Sequence, residues 1–436
     1  MAITDYIPIR PRPWTSPDRS TALQRGDAVN CRFCGEMLKH EFVDLVGSPP
    51  SNAYLTQSEL GRPESYFPLK LYVCSSCFLV QIDEYEKSER LFSDSYAYFS
   101  SYSTTWLAQC KAYAESIRRR LDLGPHSLVL EVASNDGYLL QYFKQAGIPV
   151  LGIEPTKSTA SAAREKGIET IEAFLTRELA QQTVNGGVTA DLLIGNNVLA
   201  HVPDINDFVE GLALLLKPQG VLTMEFPHLL RLVEECQFDT IYHEHFSYLS
   251  LVFVNKLFAR HGLVIFDVEE LPTHGGSLRV YAAHLDRDDL KISRSVEEIL
   301  SREDTHGLTT MDFFQGFQAR VNAVKNTFLR CLIEQKELGK VVVAYGAAAK
   351  GNTLLNYCGV KPDLIPFVVD RSPHKQGHYL PGSHIPVVGE DKIREIRPDF
   401  IVIFPWNLKE EITSQLEYVR DWGARFVTAI PVLRVE

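Results

Sequence analysis

"SLVLEVASNDGYLLQYFKQAGIPVLGIEPT", residues 127–156, decides the fold. Ser127–Val132 reads as a continuous apolar strand, a turn of small residues follows, and Leu139, Leu140 and Phe143 then share one face of a helix. A second apolar strand, Val150–Ile153, ends on the acidic Glu154. Strand, tight turn, helix, strand and terminal acid form the opening unit of a nucleotide-binding α/β fold. Small residues let the backbone approach a ligand, and the acid accepts ribose hydroxyls.

The chemistry of the turn selects the ligand. It reads Glu131-Val-Ala133-Ser-Asn135-Asp-Gly137, a variant without the three glycines of a pyrophosphate loop. A pyrophosphate needs a helix N-terminus free of negative charge, and Glu131 with Asp136 does not offer one. An acidic strand end suits a cationic, amino-acid-bearing nucleoside, which S-adenosylmethionine is through its sulfonium and amino groups. An NAD-type domain is the alternative. The alternation continues in "DLLIGNNVLAHVPD" (191–204) and "GVLTMEFP" (220–227), while "LVIFDVEEL" (263–271) and "SLRVYAAHL" (277–285) read as the paired end strands of a methyltransferase sheet. Candidate cofactor contacts are Glu131, Ala133, Asn135, Gly137, Glu154, Asn196 and Asn197. His201 follows a strand's C-terminal end, where open α/β sheets bind ligands. Two more polar sites hang on this sheet: "TIYHEHFSYLSL" (240–251), with four proton carriers in a row, and the Gly-rich turn "THGGS" (273–277), whose backbone N–H groups suit an anion.

Upstream, "CRFCGEM" and "CSSCFLV" place Cys31, Cys34, Cys74 and Cys77 as two CxxC pairs. Two such knuckles present four thiolates to one zinc ion, and a closed four-thiolate site is structural. The roughly 40 residues between them predict a small lobe inserted between the knuckles. The other four cysteines lack this spacing and read as core thiols. "LFSDSYAYFSSYS" (91–103) is either an aromatic linker or a hydroxyl-rich loop bordering a pocket. Downstream, 301–339 reads as one long helical stretch. "KVVVAYGAAAKGNTLLNYCG" (340–359) repeats strand, small-residue turn and helix, and "LIPFVVD", "DFIVIFPW" and "RFVTAIPV" complete a second, smaller parallel sheet. Gly346, Lys350 and Gly351 near that helix start suit a phosphate, as does the loop carrying Asp370, Lys375, His378 and Pro381; a ligand-free Rossmann-like domain is the other reading.

Charge excludes some classes. With 44 basic against 55 acidic residues the net charge is −11, which argues against nucleic acid as partner. No stretch reaches the roughly 18 to 20 apolar residues of a membrane span, and the Pro-, Arg- and Ser-rich start has no secretory pattern and reads as a flexible tail. The expected location is cytoplasmic, with cysteines reduced or metal-bound.

The combination of the CxxC pairs, "EVASNDGYLL", "YHEHFSY", "HGGSLRVY" and "YGAAAKGNTLLNYCGV" resembles the sugar C-methyltransferases that methylate C3 of nucleotide-linked 4-keto-6-deoxysugars, over almost the whole chain. The resemblance implies a three-part α/β protein. An N-terminal zinc-binding domain spans 1–105, a central class I methyltransferase (Rossmann-like) domain 106–286, and a helical connector with a second Rossmann-like α/β domain 287–436. It further implies a monomer that transfers the methyl of S-adenosylmethionine through a base-generated enolate to a nucleotide-diphospho keto-sugar. Another activated ketone or a hydroxyl acceptor is the alternative substrate. His245 is the expected base, Glu244 orients it, Tyr242 is a second proton carrier, and His201 lies near the ketone oxygen. If the tetrad is helical, Tyr242 and His245 share a face while His243, an uncommon residue at its position in the family, points elsewhere. Expected substrate contacts are Tyr96, His274, Gly275, Ser277, Tyr345, Lys350 and Asn352. Family members more often carry Gly where this chain has Ala133.

Overall fold

The structure, a computed structural model, describes residues 29–87 and 99–436. Three sheets organise them. The N-terminal lobe begins with β1 (His40–Ser48), β2 (Phe67–Val73) and β3 (Val80–Ile82), which pair antiparallel in that order. Of these, β1, β2 and the loop between them lie between the two cysteine knuckles, and β3 follows the second.

The central sheet is built on β4 (Val129–Val132), β5 (Val150–Ile153), β6 (Thr170–Ile171), β7 (Ala190–Asn196) and β8 (Leu216–Pro227). A two-residue strand, β9 (Ser247–Tyr248), leaves this domain and pairs with β3, completing the N-terminal sheet. β10 (Leu263–Leu271) and β11 (Ser277–His284) then return to the centre. The resulting seven-stranded order is β10-β11-β8-β7-β4-β5-β6, with β11 antiparallel to both its neighbours and the other pairs parallel. This is the class I methyltransferase sheet. Helices cover both its faces, which is why β4 is buried at every position and reads as an unbroken apolar run apart from Glu131. The strand order reverses between β4 and β7, and such a switch point opens a crevice at the strands' C-terminal ends.

The third sheet holds β12 (Val342–Tyr345), β13 (Val368–Val369), β14 (Val387–Val388), β15 (Phe400–Ile403), β16 (Arg425–Thr428) and β17 (Arg434–Val435) in the order β14-β13-β12-β15-β16-β17. Only β17 runs antiparallel. The long stretch before it is two helices rather than one, Arg294–Thr305 and Phe317–Glu337. Gly307 (φ 84°) and Gly316 (φ 78°) take left-handed backbone at the break, a conformation that ends a helix and that glycine adopts without a Cβ penalty.

The cores do not respect the three sheets. Phe42 of β1 stacks on Phe317 at 4.6 Å and meets Phe314 edge-on at 5.8 Å. One cluster joins Leu71 and Val80 of the N-terminal lobe to Phe238 and Phe246 of the centre and to Phe328 and Leu354 of the C-terminal part. No described helix is long and apolar enough to cross a membrane.

Candidate active site

At the switch point the chain's small-residue turn does what the sequence predicts. Ala133 (φ 55°), Asn135 (φ 47°) and Gly137 (φ 73°) all take left-handed backbone, bending the chain sharply out of β4. At Gly137 a Cβ would come within 2.4 Å of Ile168. Glu154, at the end of β5, accepts from the Asn135 N–H (2.9 Å) and the Thr156 N–H (2.8 Å). Burial raises its carboxyl above the ordinary range, and those two N–H groups oppose the rise. Glu131 is wholly buried beneath the turn. Neither of its oxygens closes a hydrogen bond among the described residues, although Tyr138 stands beside it. Asn196 ends β7 and Asn197 follows it, and their buried carbonyl oxygens also keep no partner among the described residues. Asn197, itself left-handed at φ 54°, donates from Nδ2 to His274 Nε2 (3.0 Å).

Ala133, Asn135, Glu154, Asn196, Asn197 and His274 border one cavity of about 580 Å³, while Glu131 and Gly137, expected as cofactor contacts, lie off its wall. Its wall is an edge of acceptors, including Glu154 and both asparagines, with Trp106 and Tyr138 as flat aromatic surfaces. Such a donor set fits S-adenosylmethionine: carboxylate for the ribose hydroxyls, unpartnered acceptors for the ammonium and aromatic surface for the cationic end.

Tyr242, Glu244 and His245 of the tetrad line the same cavity, and the tetrad is a turn instead of a helix: the His245 N–H donates to the Tyr242 carbonyl (2.9 Å). The turn still puts residues three apart on one side, so the rings of Tyr242 and His245 lie 4.0 Å apart, tilted by 34°. His201 meets His245 edge-on at 4.7 Å and hydrogen bonds the Glu244 backbone carbonyl. His245 is oriented by Thr240, not by Glu244: its Nδ1–H donates to the Thr240 carbonyl (2.8 Å), leaving Nε2 as the acceptor nitrogen. Burial lowers its pKa well below that of free imidazole, with His201 adding to the effect. Burial also takes His201 and His274 down to about 4. The Glu244 carboxyl instead accepts from Asn52 Nδ2 (2.7 Å), and burial pushes it up to about 7. His243 faces away, with its Nε2–H on the Pro68 carbonyl (3.2 Å) and its ring against Phe67 and Tyr85.

The C-terminal part closes the cavity. The helix Ala349–Cys358 starts at its wall, and Lys350 and Lys375 reach it from two segments. Lys350 donates to Asn407 Oδ1 (2.8 Å) and lies 4.3 Å from the centre of the Trp406 ring. Burial lowers it to about 8, Asp239 resisting the fall. Lys375 donates to the Ala347 carbonyl (2.8 Å). The Ala347 N–H is already taken by Asp370 Oδ2 (2.8 Å), so this loop meets its own carboxylate before any phosphate.

Four expected substrate contacts sit elsewhere. Gly275 and Ser277 border a second, shallower pocket behind the THGGS turn, with Arg231 and Glu270. Gly276 N–H closes that turn onto the Thr273 carbonyl (2.9 Å) instead of facing an anion. Tyr345 is packed with Phe367 and Ile401 on the far face of its sheet. Asn352 is buried and donates to the Ser51 carbonyl (2.5 Å). Their motifs lie near the cavity, but consecutive residues of a turn point to different sides. His378 and Pro381 likewise lie off the cavity wall. Tyr96 lies outside the described residues, as do 1–28 and 88–98. Conversely, Asn52, Trp106 and Asn407 line the cavity without any motif to announce them.

The four knuckle cysteines converge, with ligand atoms all within 4.8 Å of one another. Cys31 and Cys77 sulfurs are 3.5 Å apart, as are those of Cys34 and Cys74. Tetrahedral zinc–thiolate bonds of about 2.3 Å would separate sulfurs by about 3.8 Å, so the cluster fits zinc. Gln81 Nε2 donates to Cys31 Sγ (3.2 Å), the kind of contact an anionic sulfur attracts. The site is a zinc centre with no open position, hence structural. Cys110, Cys236 and Cys358 are buried core thiols and Cys331 is half-buried.

Family models match in three consecutive pieces: a putative zinc binding domain over residues 31–92, a methyltransferase domain over 106–268, and a C-methyltransferase C-terminal domain over 272–431. The C-methyltransferase NovU of Streptomyces niveus is 34% identical over 408 residues, covering 93% of this chain and 96% of that protein. A ubiquinone biosynthesis O-methyltransferase of Bradyrhizobium diazoefficiens is 25% identical over 27% of this chain and 46% of its own. Among solved structures, magnesium protoporphyrin IX methyltransferase of Synechocystis PCC 6803 with bound S-adenosylmethionine aligns over 47% of this chain and 100% of its own at 15% identity, with a TM-score of 0.34.

Proposed function

The chain belongs to the family of C-methyltransferases that includes NovU, and from that premise we propose that it methylates C3 of a nucleotide-diphospho 4-keto-6-deoxyhexose. The observation that carries this reading is the cavity itself. An acceptor-rich cofactor edge, a proton-carrying turn and two lysines from a second nucleotide-type fold border one space. A ketone with an acidic C–H neighbour needs a base and a donor or cation for the enolate oxygen. A diphosphate needs cations, and this acidic chain brings Lys350 and Lys375 to the spot.

S-adenosylmethionine, when bound, supplies an electrophilic methyl whose transfer leaves S-adenosylhomocysteine. Glu154 would hold the ribose hydroxyls, and Asn196, Asn197 and the backbone after β4 the amino-acid end. His245 Nε2 takes the C3 proton. The C–H electron pair delocalises into the C4 carbonyl as the enolate and then forms the C3–methyl bond. Thr240 keeps Nδ1 protonated and so keeps Nε2 a base. Glu244 places negative charge beside the imidazolium that forms, and Tyr242 is the second proton carrier. His201 holds the turn through one ring hydrogen bond to the Glu244 carbonyl. Lys350, whose charge acts on His245, would be the cation for developing negative charge. General base catalysis is worth about 10²–10⁴-fold, and removal of one oxyanion contact costs about 10²–10³-fold.

The test is turnover of S-adenosylmethionine with a panel of nucleotide 4-keto-6-deoxysugars, with NMR of the product. One methyl replacing hydrogen at C3 confirms the reading. Methyl transfer to a hydroxyl, or none across the panel with cofactor bound, refutes it. Without cofactor in D₂O, the wild type should exchange the C3 hydrogen and His245→Asn should not.

A further inference from the structure

The side chain that holds the Glu244 carboxyl comes from the zinc lobe. We infer that Asn52 is a positioning residue for the reaction, so that the zinc-binding lobe contributes to catalysis through a side chain as well as to folding. The inference rests on the reading of Glu244 as a member of the reacting turn.

Three observations carry it. Asn52 lines the reaction cavity, and its Nδ2 donates to Glu244 Oε1 at 2.7 Å across 192 positions of sequence. Its neighbours are tied on both sides to the C-terminal domain, Ser51 through its carbonyl to Asn352 Nδ2 (2.5 Å) and Tyr54 through its hydroxyl to the Ala347 carbonyl (2.6 Å). The segment under Glu244 is tied there as well, for Thr353 Oγ1 donates to the Ile241 carbonyl (2.7 Å). Asn52 therefore stands on a backbone pinned independently of its own side chain, and its amide reaches the carboxyl from a fixed direction. Glu244 is 2% exposed, and among the described residues Asn52 is the hydrogen-bond donor to its carboxyl. A single amide donor on a buried carboxyl fixes which way its second oxygen faces and favours the ionised form.

The titratable groups around Glu244 are Tyr54 from the zinc lobe, Tyr242 and His245 from its own turn, and His201 from the segment after β7. Glu84, Lys350 and Lys375 share the cavity. Burial and the Asn52 amide are the influences on the Glu244 carboxyl among the described residues, so removal of Asn52 leaves burial to dominate.

The experiment uses the full-length, zinc-loaded protein as wild type, Asn52→Ala, Asn52→Asp and Glu244→Gln. Infrared spectra with isotope-labelled glutamate, the band identified by its loss in Glu244→Gln, follow protonation of Glu244 without any substrate. The wild type should titrate near 7, Asn52→Ala about one pH unit or more higher, and the near-isosteric Asn52→Asp higher still. The acid limb of kcat should move with these midpoints, while KM for S-adenosylmethionine stays within about twofold, since the Asn52 amide hydrogen bonds Glu244 and not the cofactor-edge residues. A merely structural role would lower kcat equally at every pH. Unchanged midpoints and pH profiles in both Asn52 variants overturn the inference, and Asn52→Asp carries the test alone if Asn52→Ala fails to fold. Shifted midpoints with wild-type turnover in Glu244→Gln would instead overturn the catalytic reading of Glu244 and leave Asn52 as its structural partner.

Discussion

His245 is a base because its other nitrogen is occupied, and single residues decide much else in this site. His245→Asn should cut kcat by about 10²–10⁴-fold with KM little changed, and Tyr242→Phe by less, measured by methyl transfer at saturating cofactor. Two groups bracket neutral pH: Glu244 near 7, which must ionise, and Lys350 near 8, which must stay charged. The pH–rate profile is therefore expected to be a narrow bell whose alkaline limb disappears in Lys350→Met. A symmetric profile with both limbs intact in that variant would remove Lys350 from the reaction. Ala133 makes a different point. It sits at φ 55°, where a Cβ costs about 1 kcal/mol relative to glycine. Ala133→Gly should raise stability by up to about 1 kcal/mol, read as a higher melting temperature. Gly137→Ala should lower it by more, because there the new Cβ also meets Ile168 at 2.4 Å.

At the scale of elements, the sequence makes the central sheet legible because its periodicities are strong. A buried parallel strand, a turn of small residues and a helix face each leave a pattern, and the paired CxxC spacing leaves another. What patterns along the chain do not specify is direction. The tetrad's helix and turn readings both bring Tyr242 beside His245, so the pairing was legible while the geometry was not. Gly275, Ser277, Tyr345 and Asn352 belong to motifs at the cavity's rim, yet their side chains or backbone face another pocket, another core and another chain segment. Asn52 and Trp106 carry no signal because only long-range packing brings them in. The zinc knuckles are wired into the same wall. Arg32, next to the ligand Cys31, donates to the Pro203 carbonyl (2.9 Å) and to that of Ile82, and covers Phe246 at 5.3 Å. Chelation of zinc should therefore abolish methyl transfer together with a large fall in melting temperature, both restored by zinc alone. Retained activity in zinc-free protein would break this link.

Across the whole molecule, burial of imidazoles ties stability to acid. His201, His243 and His274 drop from 6.5 to about 4 in the folded state. Unfolded chains therefore bind more protons between those values, and stability present above about 6.5 is lost as pH falls toward 4. Glu244 and Asp239, raised to about 7 and about 6, act in the opposite sense, losing stability as pH rises through the same region. His243 stands outside the reacting groups and isolates the first effect. His243→Gln should be spared about 3 kcal/mol of the acid loss, seen as a shallower fall of melting temperature below pH 6.5 with near wild-type turnover at neutral pH. The same interweaving governs how the protein comes into being. β9, at Ser247–Tyr248, is the fourth strand of the N-terminal sheet, and Phe317 and Phe328 finish its hydrophobic floor. A nascent chain emerging from the ribosome thus cannot complete the sheet beside its four knuckle thiols until more than half of its length has been synthesised.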